Sequence, residues 1–272
     1  MNTSPDVSRD DVIVNETVSP YVAPVTSLTK ELRRLATLAS QQLKRGDRPW
    51  LGLGLAIATI LVAMLLRYHV FSPYLWRSGA VYASLPLKSE LARLPMSLFL
   101  PTPYLPVWAA SGQLFVVFGL GELILGRWLT LMVAAVGHFG SSLVVYLLLN
   151  SVHDNVLGLT PALAHVLDTG PSAATTAVGV CVLIAARMKR CAGLLTLALV
   201  VAALIAPGVD GVEHTVALGC GLLAGAAYRV VATRTANLRT RSRRTVWSFR
   251  LLRIAQAFRS PRSAMAAIRG RN

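Results

Sequence analysis

Charged side chains are scarce in this chain. Only 14% of its 272 residues are Asp, Glu, Lys or Arg, whereas 54% are hydrophobic. A soluble domain of this length would have difficulty hiding so much apolar surface, and the mean hydropathy is +0.56. Because the apolar residues fall in long blocks, the composition excludes an ordinary soluble domain and predicts an all-α, polytopic membrane protein.

Cysteine is scarce as well. The three cysteines, Cys181, Cys191 and Cys220, lie in or beside apolar segments, and the chain has no Cys-x-x-Cys pair. This spacing argues against a disulfide framework and against a zinc site. The adjacent His153 and Asp154 are too few to form a metal site. We therefore expect no metal and no other cofactor.

Acidic residues are outnumbered, with 12 Asp and Glu against 27 Lys and Arg, which gives a net charge of +15. Nucleic acid is one partner that such a charge could attract. Much of the basic excess lies beside apolar segments, however, and this placement favours an anionic membrane surface. We expect the lipid bilayer, and no nucleic acid, to be the partner of the basic residues.

The chain begins without a secretory signal peptide, since residues 1–49 are polar and the first apolar run starts at Trp50. We expect this segment to be cytosolic. Residues 1–26 show no periodicity and are expected to be disordered. From Ser27 to Arg45, leucines recur at helical spacing between basic residues. This pattern predicts an amphipathic helix that lies on the inner membrane surface or docks on a partner.

The other end, residues 234–272, is strongly basic. Within it, four apolar residues fall on one helical face: Trp247, Leu251, Ile254 and Phe258. This pattern predicts a cytosolic tail whose amphipathic helix binds anionic lipid, and a solvated tail is the alternative.

Between these ends, residues 50–233 contain six apolar segments. The predicted spans are residues 50–66, 107–126, 128–149, 172–186, 194–206 and 212–231. The segment from Arg67 to about Gly112 carries six prolines and several aromatic residues, so we interpret it as a folded loop in the outer interface. Basic residues follow the second, fourth and sixth spans, whereas the loops at 150–171 and 207–213 are acidic. This asymmetry predicts a six-helix membrane domain with both ends inside.

Two polar residues lie at the outer ends of spans in this topology. Ser172 begins the fourth span and His214 lies near the start of the sixth. A serine within hydrogen-bond reach of a histidine forms a nucleophile and its base. Taken alone, a serine at such a position is more often a helix cap, and an interfacial histidine is often only hydrogen-bonded. Their matched depth favours a catalytic pair.

Small residues surround both positions. We expect Gly179 on the fourth span, and Gly221 and Gly225 on the sixth, to let these helices pack closely. Gly170 ends the preceding loop sharply. The amide of Ser172 is therefore expected among the unsatisfied amides of a helix start, where an oxyanion could bind.

These residues give the chain a resemblance to the rhomboid intramembrane serine proteases, over roughly residues 50–232. The motifs that carry it are Gly170-Pro171-Ser172-Ala173, His214 followed by Gly221 and Gly225, and Glu122-Leu-Ile-Leu-Gly126. The resemblance implies a six-helix bundle in which Ser172 and His214 form a catalytic dyad. The substrates would be transmembrane segments of other proteins, cleaved near the outer face.

Some positions depart from the rhomboid pattern. Thr176 replaces the tyrosine that stacks on the histidine, and Ala173 replaces a glycine. Counted back from Glu122, the His-x-x-x-Asn pair of the oxyanion hole falls near Pro106 and Ala110, neither of which has a donor side chain. Gln113, a turn deeper, is a substitute donor. The alternative function is therefore a noncatalytic rhomboid-like protein that binds membrane clients; a transporter fits less well, because paired broken helices are missing.

Two further expectations concern polar residues inside spans. We expect His138 to be a hydrogen-bonded imidazole that packs the third span against a neighbour, and Glu122 to pair with Arg127 across the inner turn. The composition, rich in Ala, Val and Arg, favours a multi-pass protein of a bacterial plasma membrane.

Overall fold

A computed structural model describes residues 22–102, 105–151 and 158–259, and within them the side chains of residues 27–235. This part of the chain is helical and contains no strand, which confirms the all-α prediction. The helices are α1 Val22–Lys44, α2 Trp50–Leu65, α3 Ser72–Gly79, α4 Leu87–Ser97, α5 Val107–Leu125, α6 Arg127–Ser151, α7 Ser172–Ala185, α8 Lys189–Ile205 and α9 Val209–Arg259, with a short 3₁₀ helix at Pro161–His165.

Each predicted apolar span corresponds to one of these helices. Three are long and apolar enough to cross a membrane: α5, α6 and the Val209–Thr235 part of α9. The other apolar helices are shorter, with 16 residues in α2, 14 in α7 and 17 in α8. The structure thus describes a helical membrane protein with at least three candidate spans.

Helix α7 forms the centre of the bundle and packs against α5, α6, α8 and α9. Its side chains are small: Ala174, Ala177 and Val178 are fully buried. Small side chains let neighbouring backbones approach closely, which is how helices associate in a membrane. The residue that begins α7, Ser172, is therefore held by the most enclosed element of the fold.

The proline-rich segment after α2 is folded, as predicted, and forms α3 and α4. Helix α4 packs on α6. An isolated β-bridge between Val81 and Asp168 ties this segment to the loop that precedes α7, and the N–H of Ser84 donates to the carbonyl of Ala164. The segment therefore braces the entrance to α7.

Helix α1 docks on the bundle of its own chain, against α5 and α8. The carboxylate of Glu31 accepts hydrogen bonds from the N–H of Arg190 (3.2 Å) and of Cys191 (3.0 Å). These amides lie at the start of α8, where no intrahelical acceptor is available. These bonds lower the pKa of Glu31, and the Cys191 N–H is the largest cause.

The last helix differs from the predicted division into a span and a separate tail helix. Helix α9 continues without a break for 51 residues. Residues 22–26, which were expected to be disordered, are helical, because α1 begins at Val22. The expectations for residues 1–21, for His153 and Asp154, and for the side chains of the basic tail lie outside the described residues.

Candidate functional site

Ser172 is the first residue of α7 and is partly exposed. No hydrogen bond to its hydroxyl is present among the described residues. The first helical hydrogen bond runs from the N–H of Thr175 to the carbonyl of Pro171. The N–H groups of the first three residues of α7, Ser172 among them, therefore have no helical acceptor.

Gly170 forms the sharp turn before α7. Its φ of +119° is one that residues with a side chain rarely adopt, and a Cβ there would lie 2.5 Å from Cγ2 of Thr102. Its N–H donates to the carbonyl of Ser97 at 2.9 Å. Gly170 therefore serves the turn, and its amide is already engaged rather than free for an oxyanion.

The packing of α7 on α9 sets the level of His214. A Cβ at Gly221 would lie 2.5 Å from the carbonyl oxygen of Ala177, and one at Gly225 would lie 2.8 Å from Cβ of Ile184. The two contacts follow each other in the same order along both helices, so the helices run parallel. About two turns back from Gly221 is His214, and the same step back from Ala177 reaches the turn before Ser172.

His214 is partly buried, and its ring makes no hydrogen bond to Ser172 in the described structure. The two residues share a level in the bundle, while the direct bond between them is not formed. Gly179, expected to face the sixth span, instead lies beside α5, with Val117 as its neighbour at 3.8 Å. The helix face predicted for Gly179 was therefore wrong. Helix α7 is surrounded by helices, and its small residues pack against more than one of them.

Gln113 on α5 has an unpaired donor. Its Nε2 is buried and has no hydrogen-bond partner. Val117, one turn further along α5, faces Gly179 of α7, so Gln113 lies near the level of the first turns of α7. Leaving such a donor unpaired costs about 1–3 kcal/mol. Pro106 precedes α5, and Ala110 is buried within it. Neither residue type has a side chain that can donate a hydrogen bond.

The serine and histidine that do touch are Ser97 and His138, a pair that sequence reasoning missed. Oγ of Ser97 lies 3.0 Å from Nε2 of His138, and both side chains are buried. The Ser97 hydroxyl donates to the carbonyl of Leu94, and Nε2 lies 3.2 Å from that same carbonyl. This arrangement requires the hydrogen on Nε2, which then donates. His138 is thus hydrogen-bonded, as expected, but it holds α4 on α6 and does not activate Ser97.

An acidic group at the same end of the bundle was also missed. Ser142 of α6 donates to Oε1 of Glu213 at 3.0 Å, and the carboxyl groups of Glu213 and Asp168 lie within hydrogen-bonding reach of each other. Glu90 of α4 is 2% exposed, and together with Asp168 and Ser142 it lines a cavity of about 10 Å³. Because these residues come from separate elements, no spacing in the sequence connects them.

Burial changes the titration of the two acidic groups that lie outside the candidate spans. It raises the pKa of Glu90 to about 7, and the negative charge of Asp168 raises it further. Burial also raises the pKa of Asp168 above its usual range. These carboxyl groups therefore hold protons more tightly than exposed ones do.

At the opposite end, Glu122 is structural. Its Oε1 accepts from Nε and Nη2 of Arg127 at 2.9 and 2.8 Å, which confirms the predicted pair. Its Oε2 accepts from the N–H of Leu51 at 2.6 Å, so the same carboxylate also holds the start of α2. In the described part of the chain, no group of His, Cys, Asp and Glu could hold a metal ion.

Comparison of the chain with protein-family models, with curated proteins and with solved structures gives no match. The fold and the site define a class: an all-helical membrane protein with polar groups collected around the start of its central helix. The functional interpretation therefore rests on Ser172, His214 and Gln113 themselves.

Proposed function

We propose that this protein is a rhomboid-like intramembrane serine endopeptidase that cleaves transmembrane segments of other membrane proteins near the outer face. The observation that supports this function best is the parallel packing of α7 and α9 through Gly221 and Gly225. This packing brings the free hydroxyl of Ser172 and the imidazole of His214 to the same level.

In the proposed reaction, Oγ of Ser172 attacks the carbonyl carbon of the scissile peptide bond while His214 takes the hydroxyl proton. His214 then gives that proton to the leaving amine, and the peptide bond breaks. A water molecule attacks the acyl-enzyme, again with His214 as base, and releases Ser172. The bond between Ser172 and His214 need not be formed before substrate binds, since catalytic hydrogen bonds often tighten only in the complex.

The developing oxyanion needs donors. The three free N–H groups in the first turn of α7 are candidates, and the unpaired Nε2 of Gln113 is a fourth. Donors that are already buried and unpaired cost no reorganisation when charge develops. Gln113 would thus replace the side-chain donors that Pro106 and Ala110 do not provide.

We also propose that all six apolar helices cross the plasma membrane, with both ends in the cytosol. At 1.5 Å per residue, α7 is about 21 Å long and α2 about 24 Å, against roughly 30 Å of hydrocarbon. A short helix can be accommodated by a locally thinned bilayer. For α7 the shortness is also useful, because enclosure by other helices leaves its outer end below the membrane surface, where only water from outside reaches it.

A second candidate is a noncatalytic rhomboid-like protein that binds membrane clients. The absence of a hydrogen bond between Ser172 and His214 in the described structure favours it, as does the lack of donor side chains at Pro106 and Ala110. In both candidates the protein contacts transmembrane segments of partners, and the basic residues 234–272 bind anionic lipid.

Fluorophosphonate labelling of the protein in membranes distinguishes the two candidates. We expect the wild type to be labelled, and Ser172→Ala and His214→Ala to lose labelling. Ser72→Ala is a matched control, because Ser72 is also the first residue of a helix and also partly exposed. The histidine control is His69→Ala, which alters an exposed ring. A folded wild type that remains unlabelled under conditions that label an active rhomboid would support the client-binding protein instead.

A further inference from the structure

Three carboxyl groups from three elements meet at the outer end of the bundle: Glu90 of α4, Asp168 of the loop before α7, and Glu213 of α9. Among the described side chains, the ion pair present is Arg127–Glu122 at the other end. No described lysine or arginine forms an ion pair with the three acidic groups, and Arg93, one turn from Glu90 on α4, donates instead to the carbonyl of Ala80 at 2.9 Å. Buried carboxylates without a counter-charge are costly, and such groups take up protons instead.

The side chain of Glu90 is independent evidence that an ionised carboxylate would lack hydrogen bonds at this site. It is 2% exposed, and its Oε2 is buried without a hydrogen-bond partner. It lines the same cavity as Asp168 and Ser142, whose volume of about 10 Å³ is close to the smallest that holds one water molecule. The residue with the vacant acceptor therefore borders a space that holds one water molecule at most.

The bond between Asp168 and Glu213 itself requires a proton. Ionised carboxylates are acceptors only, so two of them cannot hydrogen-bond to each other. Ser142 already donates to Oε1 of Glu213. The approach of the Asp168 carboxyl group to Glu213 is thus attractive only if one proton lies between them, as in other closely placed carboxyl pairs.

The position of Asp168 gives this pair a mechanical role. Its N–H donates to the carbonyl of Val81 at 3.0 Å, and two residues later the N–H of Gly170 donates to Ser97. These two bonds fix the loop to the segment that contains α4. Leu159 and Leu163 of the loop pack in one cluster with Val212 of α9. The side chain of Asp168 adds a polar link to the same helix, which carries His214.

We propose that Asp168 and Glu213 share one proton taken from the outer aqueous phase, and that this protonated pair latches the loop leading into Ser172 onto α9. Loss of the proton places two like charges side by side in a poorly solvated site and releases the loop. The latch rests on the approach of these two carboxyl groups and on the backbone bonds of the loop, and it does not depend on the proposed function. Its consequence for catalysis, that Ser172 is correctly placed only in the latched state, rests on the proposed function.

The direction of the pH dependence follows from the groups that face the pair. Glu90 approaches from α4, Asp210 and His214 belong to the same turn of α9, and α6 contributes Ser142, with His138 one turn away. Burial raises the pKa of Asp168, and that of Glu90 to about 7. A raised carboxyl pKa means that the folded state binds the proton more tightly than the unfolded chain does. The latch is therefore complete at acidic pH and is lost as the pH rises through the raised pKa of Asp168.

Hydrogen exchange of the full-length protein in lipid nanodiscs tests the latch without any need for catalysis. The backbone amides of residues 166–174 are compared at pH 5.5 and pH 8, each corrected for the exchange rate of an unstructured peptide. We expect protection in the wild type to fall at least about tenfold at pH 8, since each pH unit above the pKa dilutes the protonated form tenfold.

Two variants of Glu213 distinguish the effect of the shared proton from the effect of the hydrogen bond between the two side chains. In Glu213→Gln, the amide donates permanently to ionised Asp168 and its oxygen still accepts from Ser142, so we expect protection at both pH values. Glu213→Ala should lose protection at both. Asp210→Asn removes an exposed carboxylate from the same turn. Because the charge of Asp210 helps to raise the pKa of Asp168, this variant should keep the pH response but shift it to lower pH than in the wild type.

Equal protection of the wild-type loop at both pH values would overturn the proposal, as would a wild-type pH response in Glu213→Gln. Should Glu213 variants fail to fold, Asp168→Asn serves the same purpose, because its amide donates to ionised Glu213. The exchange result does not depend on fluorophosphonate labelling. A pH-dependent loop in a protein that is never labelled would refute the peptidase and retain the latch.

Discussion

Four buried polar atoms in the described structure have no hydrogen-bond partner: Glu90 Oε2, Gln113 Nε2, His138 Nδ1 and Thr169 Oγ1. Folded proteins leave few such atoms unpaired. Nδ1 of His138 is the acceptor nitrogen of a ring whose Nε2 donates, and Glu90 borders the small cavity that it shares with Asp168 and Ser142. Thr169 lies in the loop before α7, and Gln113 on the helix beside it. The last two therefore mark the region around Ser172 as a place where a ligand could supply the missing bonds.

Replacing Gln113 by leucine tests two effects of its unpaired donor: a lower stability of the folded protein and a faster reaction of Ser172. Gln113→Leu removes an unpaired buried donor but keeps a side chain of similar size, so we expect unchanged or higher thermal stability, by up to about 1 kcal/mol. The rate of fluorophosphonate labelling should fall by about 10²–10³-fold, as for loss of one oxyanion donor.

The exposed glutamine of α1 provides the control, since Gln41→Leu should alter neither quantity. Undiminished labelling in Gln113→Leu would remove Gln113 from the oxyanion hole, and the amides of α7 would be left as the candidates.

At the scale of elements, what could be predicted from the sequence was local. The spacing of Gly221 and Gly225 indicates a close helix contact by itself, and Glu122 and Arg127 are separated by a single short turn. The contact of Ser97 with His138 joins residues 41 positions apart, and that of Glu31 with Cys191 joins residues 160 positions apart. Nothing in the sequence pairs such residues, because their partners are chosen by how the helices pack.

The site shows the same division. Ser172 and His214 could be selected because each begins an apolar segment on the predicted outer side, where depth is set by the topology. The buried acidic group could not, since Asp168 and Glu213 are in the sequence only acidic residues of outer loops and nothing there singles out Glu90. Their burial depends on α4 folding back onto α6, and the prolines around α4 gave no indication of that arrangement.

The contact of α7 with α9 yields a prediction at this scale. In Gly221→Ala, the added Cβ would lie 2.5 Å from the carbonyl oxygen of Ala177 and 3.1 Å from Cβ of Val180. Two backbones must then move apart, so we expect a loss of about 1–3 kcal/mol in stability and a loss of labelling of Ser172.

Gly219 offers a matched control on the same helix, since a Cβ there would meet nothing within 4 Å. Gly219→Ala should leave labelling unchanged and raise stability by up to about 1 kcal/mol, because alanine favours the helix over glycine. Equal behaviour of the two variants in thermal unfolding and labelling would show that α7 and α9 do not depend on this close contact.

At the scale of the whole molecule, the number of membrane crossings decides which side Ser172 faces. Helices α5, α6 and α9 satisfy the length and hydropathy of a span on their own, and three crossings would place the two ends of the chain on opposite sides. Six crossings place both ends on the same side. The basic residues that follow α5, α7 and α9 favour six, because they would then all lie in the cytosol.

Single cysteines in a chain whose own cysteines are replaced distinguish these two arrangements. Lys30→Cys and Arg234→Cys report the two ends, and Asp210→Cys reports the loop before His214; all three positions are exposed. In spheroplasts treated with a membrane-impermeant maleimide, we expect labelling at Asp210→Cys only, and labelling at the other two after lysis. Labelling of only one end in intact spheroplasts would indicate an odd number of crossings. With α5, α6 and α9 as the only spans, α7 would not cross the membrane, and the outer position of Ser172 on which the peptidase proposal depends would be lost.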